Sequence, residues 1–194
     1  CSSDLESSFN NLSMMAAKDI QLASNLIAQG EVYANADSNN DSLGKFSISN
    51  NKFIQTENGA VEVTSAELDL SGKIKTGDGD ITLYSSNGDN MHIGYTDTDL
   101  IPYELDYGDL SSKFHILNKE VANLETTGAV NFGNDLTKNM IIDGLYFSGP
   151  SYLNLEVEPN IGNILFVGRA SYIDAHLNAK AGNEILVDAD LTVN

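Results

Sequence analysis

Gly79-Asp80-Ile81-Thr82-Leu83 writes a corner and a strand in five residues. Glycine and aspartate favour the turn, and two apolar side chains then flank a polar one. The same order, a small or turn residue followed by apolar, any, apolar, returns as Lys18-Asp19-Ile20-Gln21-Leu22, Gly59-Ala60-Val61-Glu62-Val63, Gly128-Ala129-Val130-Asn131-Phe132, Gly162-Asn163-Ile164-Leu165-Phe166 and Asn183-Glu184-Ile185-Leu186-Val187. The first apolar members stand at 20, 61, 81, 130, 164 and 185. Separations of 41, 20 and 21 lie close to one or two times 20, and those of 49 and 34 read as the same beat with insertions.

Within each copy the side chains alternate with period 2, so Val61 and Val63 face inward while Glu62 faces water. Leu68 and Leu70 do the same around Asp69, and Leu153, Leu155 and Val157 around Asn154 and Glu156. Turn chemistry separates these strands at Asp37 to Gly44, Asn87 to Asn90 and Ser148 to Ser151. A 20-residue unit buries too little to stand alone, but stacked copies share one apolar interior. The predicted fold is therefore all-β, a right-handed parallel β-helix (β-solenoid). At roughly 20 to 25 residues per coil it would have about eight or nine coils and a length on the order of 40 Å. The 22 Asn residues suit it, because Asn tolerates left-handed backbone at corners and stacks into ladders. An antiparallel sandwich is the competing all-β architecture.

One region breaks the rhythm. Phe114, Leu117, Val121 and Leu124 recur at three and four, with Ser111 or Ser112 placed to cap, which predicts a short helix projecting from the stack. Tyr95 to Gly108, acidic, aromatic and carrying Pro102, reads as the loop leading into it. Leu12 to Ala17 is a second candidate helix on propensity alone. The organisation expected is a truncated or artefactual N-terminal end at 1–17, coils over 18–94, a loop and short-helix insertion over 95–124, and coils again over 125–194. The opening Cys1-Ser2-Ser3-Asp4-Leu5 matches one translated frame of a common sequencing adapter, and no initiator Met or signal peptide precedes it, so the chain reads as an internal fragment. Its single Cys permits no internal disulfide.

Charge narrows the partners. Asp and Glu number 28 against 10 Lys and Arg, for a formal net charge of −18. No basic stripe is available to neutralise phosphates, so nucleic acid and anionic lipid are expected to be repelled. No apolar run approaches the ~18 residues that a membrane helix requires, and no membrane insertion is expected.

Leu117-Asn118-Lys119-Glu120-Val121-Ala122-Asn123-Leu124-Glu125-Thr126-Thr127-Gly128-Ala129-Val130-Asn131-Phe132-Gly133 is similar to a segment of filamentous haemagglutinin-like adhesins, the exported proteins of two-partner secretion. In that segment a short acidic, leucine-containing turn leads to a threonine-glycine step and a strand ending in glycine. Glu120 stands near the acidic position, Leu124 at the apolar one, and Thr127-Gly128 at the step. The corner-strand copies at 19–22, 79–83 and 182–186 resemble the repeat region of the same proteins. The resemblance covers most of the chain from about Asp19 onward and implies a shaft segment with no catalysis of its own, secreted or displayed on the bacterial cell surface. Its implied partners are an outer-membrane secretion transporter during export and a host or bacterial surface receptor. No N-terminal secretion domain is recognisable in these residues.

The chemical alternative is a β-helical polysaccharide lyase or hydrolase using carboxylates of the 97–109 loop: Asp97, Asp99, Glu104, Asp106 and Asp109 supply paired acids or oxygen ligands. No Lys or Arg lies between Lys75 and Lys113, so a polyanionic substrate would meet repulsion. Asp37-Ser38-Asn39-Asn40-Asp41 starts like a calcium loop but has Ser42 at the sixth position and Ile48 at the twelfth. Gly77-Asp78-Gly79-Asp80 resembles a glycine-rich calcium repeat without its tandem phase. His92, His115 and His176 lack zinc spacing, and neither a nucleophile elbow nor a phosphate loop occurs. Tyr95, Tyr103 and Tyr107 read as staples of the insertion onto the wall, with a binding patch as the alternative. No catalytic, cofactor or metal residue is assigned.

Overall fold

A computed structural model describes residues 8–95 and 114–194 and places them in a parallel β-solenoid of about 7 turns. Coils run through three faces. The first stacks Ser8–Phe9, Leu26–Ala28, Phe53–Thr56, Lys73–Gly77 and Leu124–Thr126. The second stacks Leu12–Met15, Val32–Asn35, Val61–Ser65, Ile81–Ser85 and Ala129–Gly133, followed by Tyr146–Glu156 and Ser171–Lys180. These last two are long because each turns a corner: their pairing shifts between Ser148 and Tyr152, so the early halves pair with each other ahead of the bend. The third face holds Ile20–Leu22, Lys45–Ile48 and Glu67–Leu70, and a second sheet ordered Phe114–Leu117, Met91–Gly94, Asn139–Asp143, Asn163–Phe166 and Glu184–Val187.

Every described strand pairing is parallel, and apart from the shifts at Lys75/Gly77 and Ser148/Tyr152 the register is continuous, which turns the period-2 pattern into columns. Val32, Val61, Ile81, Val130 and Leu153 form one inner column, and Ala34, Val63, Leu83, Phe132 and Leu155 the next, all essentially without solvent contact. Each such aliphatic or aromatic side chain contributes roughly 1.5–3 kcal/mol through burial. A smaller apolar cluster of Ile141, Leu165 and Val167 lies on the third face, where Ile141 and Leu165 alternate with the inward Met140, Ile142, Ile164 and Phe166.

Register also explains the uneven gaps in the repeat. Val61, Ile81 and Val130 share a second-face column, whereas Ile164 and Ile185 pair on the third. The gap of 34 is thus a change of face and not an insertion. Fewer turns form than the eight or nine expected because several corners are longer than a regular beat allows: stacked partners lie 20 residues apart at Asn58 and Asp78 but 49 apart at Thr82 and Asn131.

The insertion differs from its prediction. Of the projecting helix only the turn Asn118–Val121 is helical, and Phe114–Leu117 is a strand. Phe114 and Ile116 are both fully buried, so period 2 prevails over the three-and-four spacing, which left Ile116 unused. The segment is built into the wall, and in the stack the two neighbours appear in reverse of chain order, Phe114–Leu117 lying beside Glu67–Leu70 and Met91–Gly94 beyond it. Leu12–Met15, the other candidate helix, is likewise a strand, paired with Val32–Asn35. Strands therefore begin within the expected N-terminal end. Corner chemistry agrees with expectation: Asn40, Asn51 and Asn58 have positive φ, as does Ser42.

Candidate functional site

The segment Leu117 to Gly133 is a clasp. Leu117 caps the helical turn without a side-chain acceptor, and Glu120, at the third helical position, reaches back so that its Oε2 accepts the Leu117 N–H at 2.9 Å. Its Oε1 accepts the Leu70 N–H at 2.8 Å, fifty residues away, and the side chain is 5% exposed. Asn123 completes the grip by donating Nδ2–H to the Leu70 carbonyl, while its own carbonyl accepts the Ile74 N–H. The threonine-glycine step then forms a corner in which Thr126 Oγ1 donates to Gly79 O and accepts the Gly128 N–H. Thr56 and Thr76 make equivalent bonds to Gly59 and Gly79.

Two amide ladders run along the stack. On the second face Asn178 Nδ2 donates to Asn154 Oδ1 at 2.8 Å, Asn154 to Asn131 at 2.7 Å, and Asn131 to Thr82 Oγ1 at 3.0 Å. Where strands enter the third face, Asn183 donates to Asn163, Asn163 to Asn139 and Asn139 to Asn90. Ladder formation by Asn was expected from composition, but the positions were not read. Their signal lies in the middle residue of Ile81-Thr82-Leu83, Val130-Asn131-Phe132, Leu153-Asn154-Leu155 and Leu177-Asn178-Ala179.

Around the ladder the second face carries rings. Tyr84 donates its O–H to Glu62 at 2.6 Å, and Tyr152 stacks on His176 with centroids 5.1 Å apart. Burial and the Glu62 carboxylate push the Tyr84 phenol up to about 12. The folded chain therefore holds this proton where a free phenol, near 10, has released it. Its stabilising contribution is complete below about pH 10 and disappears as pH rises through about 12. Thermal melts across that window are expected to show a falling transition temperature that Tyr84→Phe flattens; an unchanged slope in the variant would refute the assignment.

The calcium-like segment is structural. Asp37 is fully buried, its Oδ1 accepts the Asp41 N–H, and its Oδ2 accepts the Ser42 N–H and the Ser86 O–H at 3.0 and 2.5 Å. Asp80 Oδ1 likewise accepts the Ala129 N–H. The fold brings His92 and His115 into register, ring centroids 4.9 Å apart, while His176 stacks on Tyr152. Among the described residues no group of three His, Cys, Asp or Glu converges. Tyr95 covers the Arg169 guanidinium at 3.1 Å from its ring centroid, and Arg169 grips Asp143 through both its backbone N–H and its side chain. Tyr95 thus lies against the wall, while the rest of the loop it was expected to staple lies outside the described residues. Asp97, Asp99, Glu104, Asp106, Asp109, Tyr103 and Tyr107 lie outside the described residues.

No protein-family profile matches the chain, and no curated protein or solved structure is significantly similar to it.

Proposed function

We propose that this chain is a shaft segment of a secreted or surface-displayed bacterial filamentous adhesin, structural or adhesive with no catalysis of its own. The carrying observation is the in-register stacking of one corner-strand unit into continuous apolar columns and amide ladders. Such a stack is quasi-one-dimensional, each coil resting only on its neighbours, and its backbone bonds run along the axis. A stiff spacer follows from that geometry. The resemblance of Leu117 to Gly133 to haemagglutinin-like adhesins supports the reading further, since here those residues join one coil to another. Export would use an outer-membrane transporter, and adhesion a surface receptor met by this segment or by another part of the parent. No helix among the described residues is long and apolar enough to cross a membrane.

Long-read sequencing through both flanks tests this reading. Many further repeats of about 20 residues behind an N-terminal secretion domain are the expected result. A frame that closes within a few hundred residues as one compact protein would overturn it and return attention to the carboxylates of 97–109.

A further inference from the structure

We propose that the outer side of the second face is a docking groove for an uncharged polysaccharide lying along the solenoid axis. This goes beyond the shaft reading, which names neither a ligand class nor a binding surface on the segment, and it stands on four observations.

Charge is the first. In a chain of net charge −18, the charged second-face strand residues are Glu62, Glu156, Lys180 and, ahead of the bend, Asp174, and Glu156 and Lys180 form an ion pair. For their shorter runs of strand residues the other faces carry more, with Lys73, Lys75 and Glu125 on the first and Lys45, Glu67, Asp69, Asp143 and Glu184 on the third. A surface nearly free of charge and rich in Tyr and Asn has the composition of a polar binding surface, rings giving contact area at small entropic cost and amides giving adaptable hydrogen bonds.

Shape is the second. A groove of about 450 Å³ is lined by Thr82, Tyr84, Asn131, Asn154, Glu156 and Lys180, among others. Gly133, at φ 77° and in register with Glu156, lies at its end, where a side chain would collide with the Glu156 carbonyl and with Met140.

Hydrogen-bonding capacity is the third. Each ladder amide gives one N–H to its neighbour, and an amide has two. One donor per coil, with carbonyl lone pairs beside it, is therefore presented at a repeat of about 4.8 Å. Such a row suits a polymer with regularly spaced hydroxyls, each both donor and acceptor. The fourth observation is the stacked Tyr152 and His176 pair, two residues before Asn154 and Asn178 on the same strands, with Tyr152 46% exposed. These rings cover one face of each other and sit beside the groove, where their exposed edges can pack on a sugar while the ladder meets its hydroxyls.

Other ligand classes fit less well. A peptide cannot add as a strand to this face, because strands such as Ala129–Gly133 already pair on both sides. A polyanion meets the net charge of the whole chain.

Affinity electrophoresis and titration calorimetry on the 194-residue chain, with dextran, a galactomannan and hydroxyethyl cellulose as neutral probes and polygalacturonate as the charged one, test the groove. Expected is binding to at least one neutral polymer and none to polygalacturonate. Tyr152→Ala and Asn178→Ala, both at exposed positions, should each weaken binding at least tenfold while lowering the melting temperature by no more than about 4 °C, the cost of one exposed ladder bond or ring contact. Tyr146→Ala, an exposed tyrosine ahead of the bend in its strand, should bind as the parent does. Absence of binding to every neutral probe, binding to polygalacturonate alone, or equal binding by the parent and the Tyr152 and Asn178 variants would overturn the proposal. Each of these outcomes is independent of how far the parent reading frame extends.

Discussion

Glu120→Ala is expected to lower stability by about 3–5 kcal/mol. Hydrogen bonds to a charged acceptor contribute about 1.5–3 kcal/mol each, and the truncation leaves the Leu70 and Leu117 N–H groups without an acceptor. For a chain of this size each kcal/mol moves the transition by roughly 2–4 °C, so melting should drop by roughly 6–20 °C. Glu120→Gln keeps one carbonyl oxygen but turns an N–H donor toward the other backbone N–H, and should lose about half as much. Chemical denaturation of the three proteins separates the cases. Alanine and glutamine variants within a few tenths of a kcal/mol of the parent would mean that the clasp does not hold Leu70 to Leu117 in solution.

Asp37→Ala should cost a similar amount, again about 3–5 kcal/mol, since the buried carboxylate serves two backbone N–H groups and the Ser86 hydroxyl. Ser86 lies 49 residues away, so the carboxylate ties distant parts of the chain together as well as closing its own corner. Asp37→Asn should recover part of the loss, because its carbonyl oxygen still accepts one set of bonds. Millimolar calcium should leave the parent's melting temperature where it was, as the oxygens that a cation would need are already engaged. A calcium-dependent rise of several degrees, abolished in Asp37→Asn, would restore the ligand reading of this segment.

Much of the fold could be read from local pattern. The alternation in Val61-Glu62-Val63 and Ile81-Thr82-Leu83, and the glycine or asparagine before each strand, are properties of a few adjacent residues. They set backbone preference and side-chain direction without reference to the rest of the chain. Parallel stacking followed from the shortness of each unit. Position within the stack could not be read in the same way. Ile164 and Val130 share one motif yet lie on different faces, because nothing in five residues records which corner came before. Phe114 misled for a related reason: its spacing to Leu117 and Val121 satisfies a helix, and only the burial of Ile116 beside it shows which period the core selected.

The candidate groove divides along the same line. Tyr and Asn content, acidity and the polar middle residue of each strand were visible in the chain. Their assembly into one nearly uncharged face required the register that sets Thr82, Asn131, Asn154 and Asn178 one above another. Strand-forming tendency and the solenoid class thus reside in the amino-acid order, since period and turn chemistry act within a few residues. The face on which each strand lies, the reversed order of Phe114–Leu117 and Met91–Gly94, and the bonds from Glu120 to Leu70 and from Asp37 to Ser86 belong to the tertiary structure alone. They depend on groups about fifty residues apart meeting, and a pairing at that distance is selected by the packing of the whole core and not by either partner's neighbours.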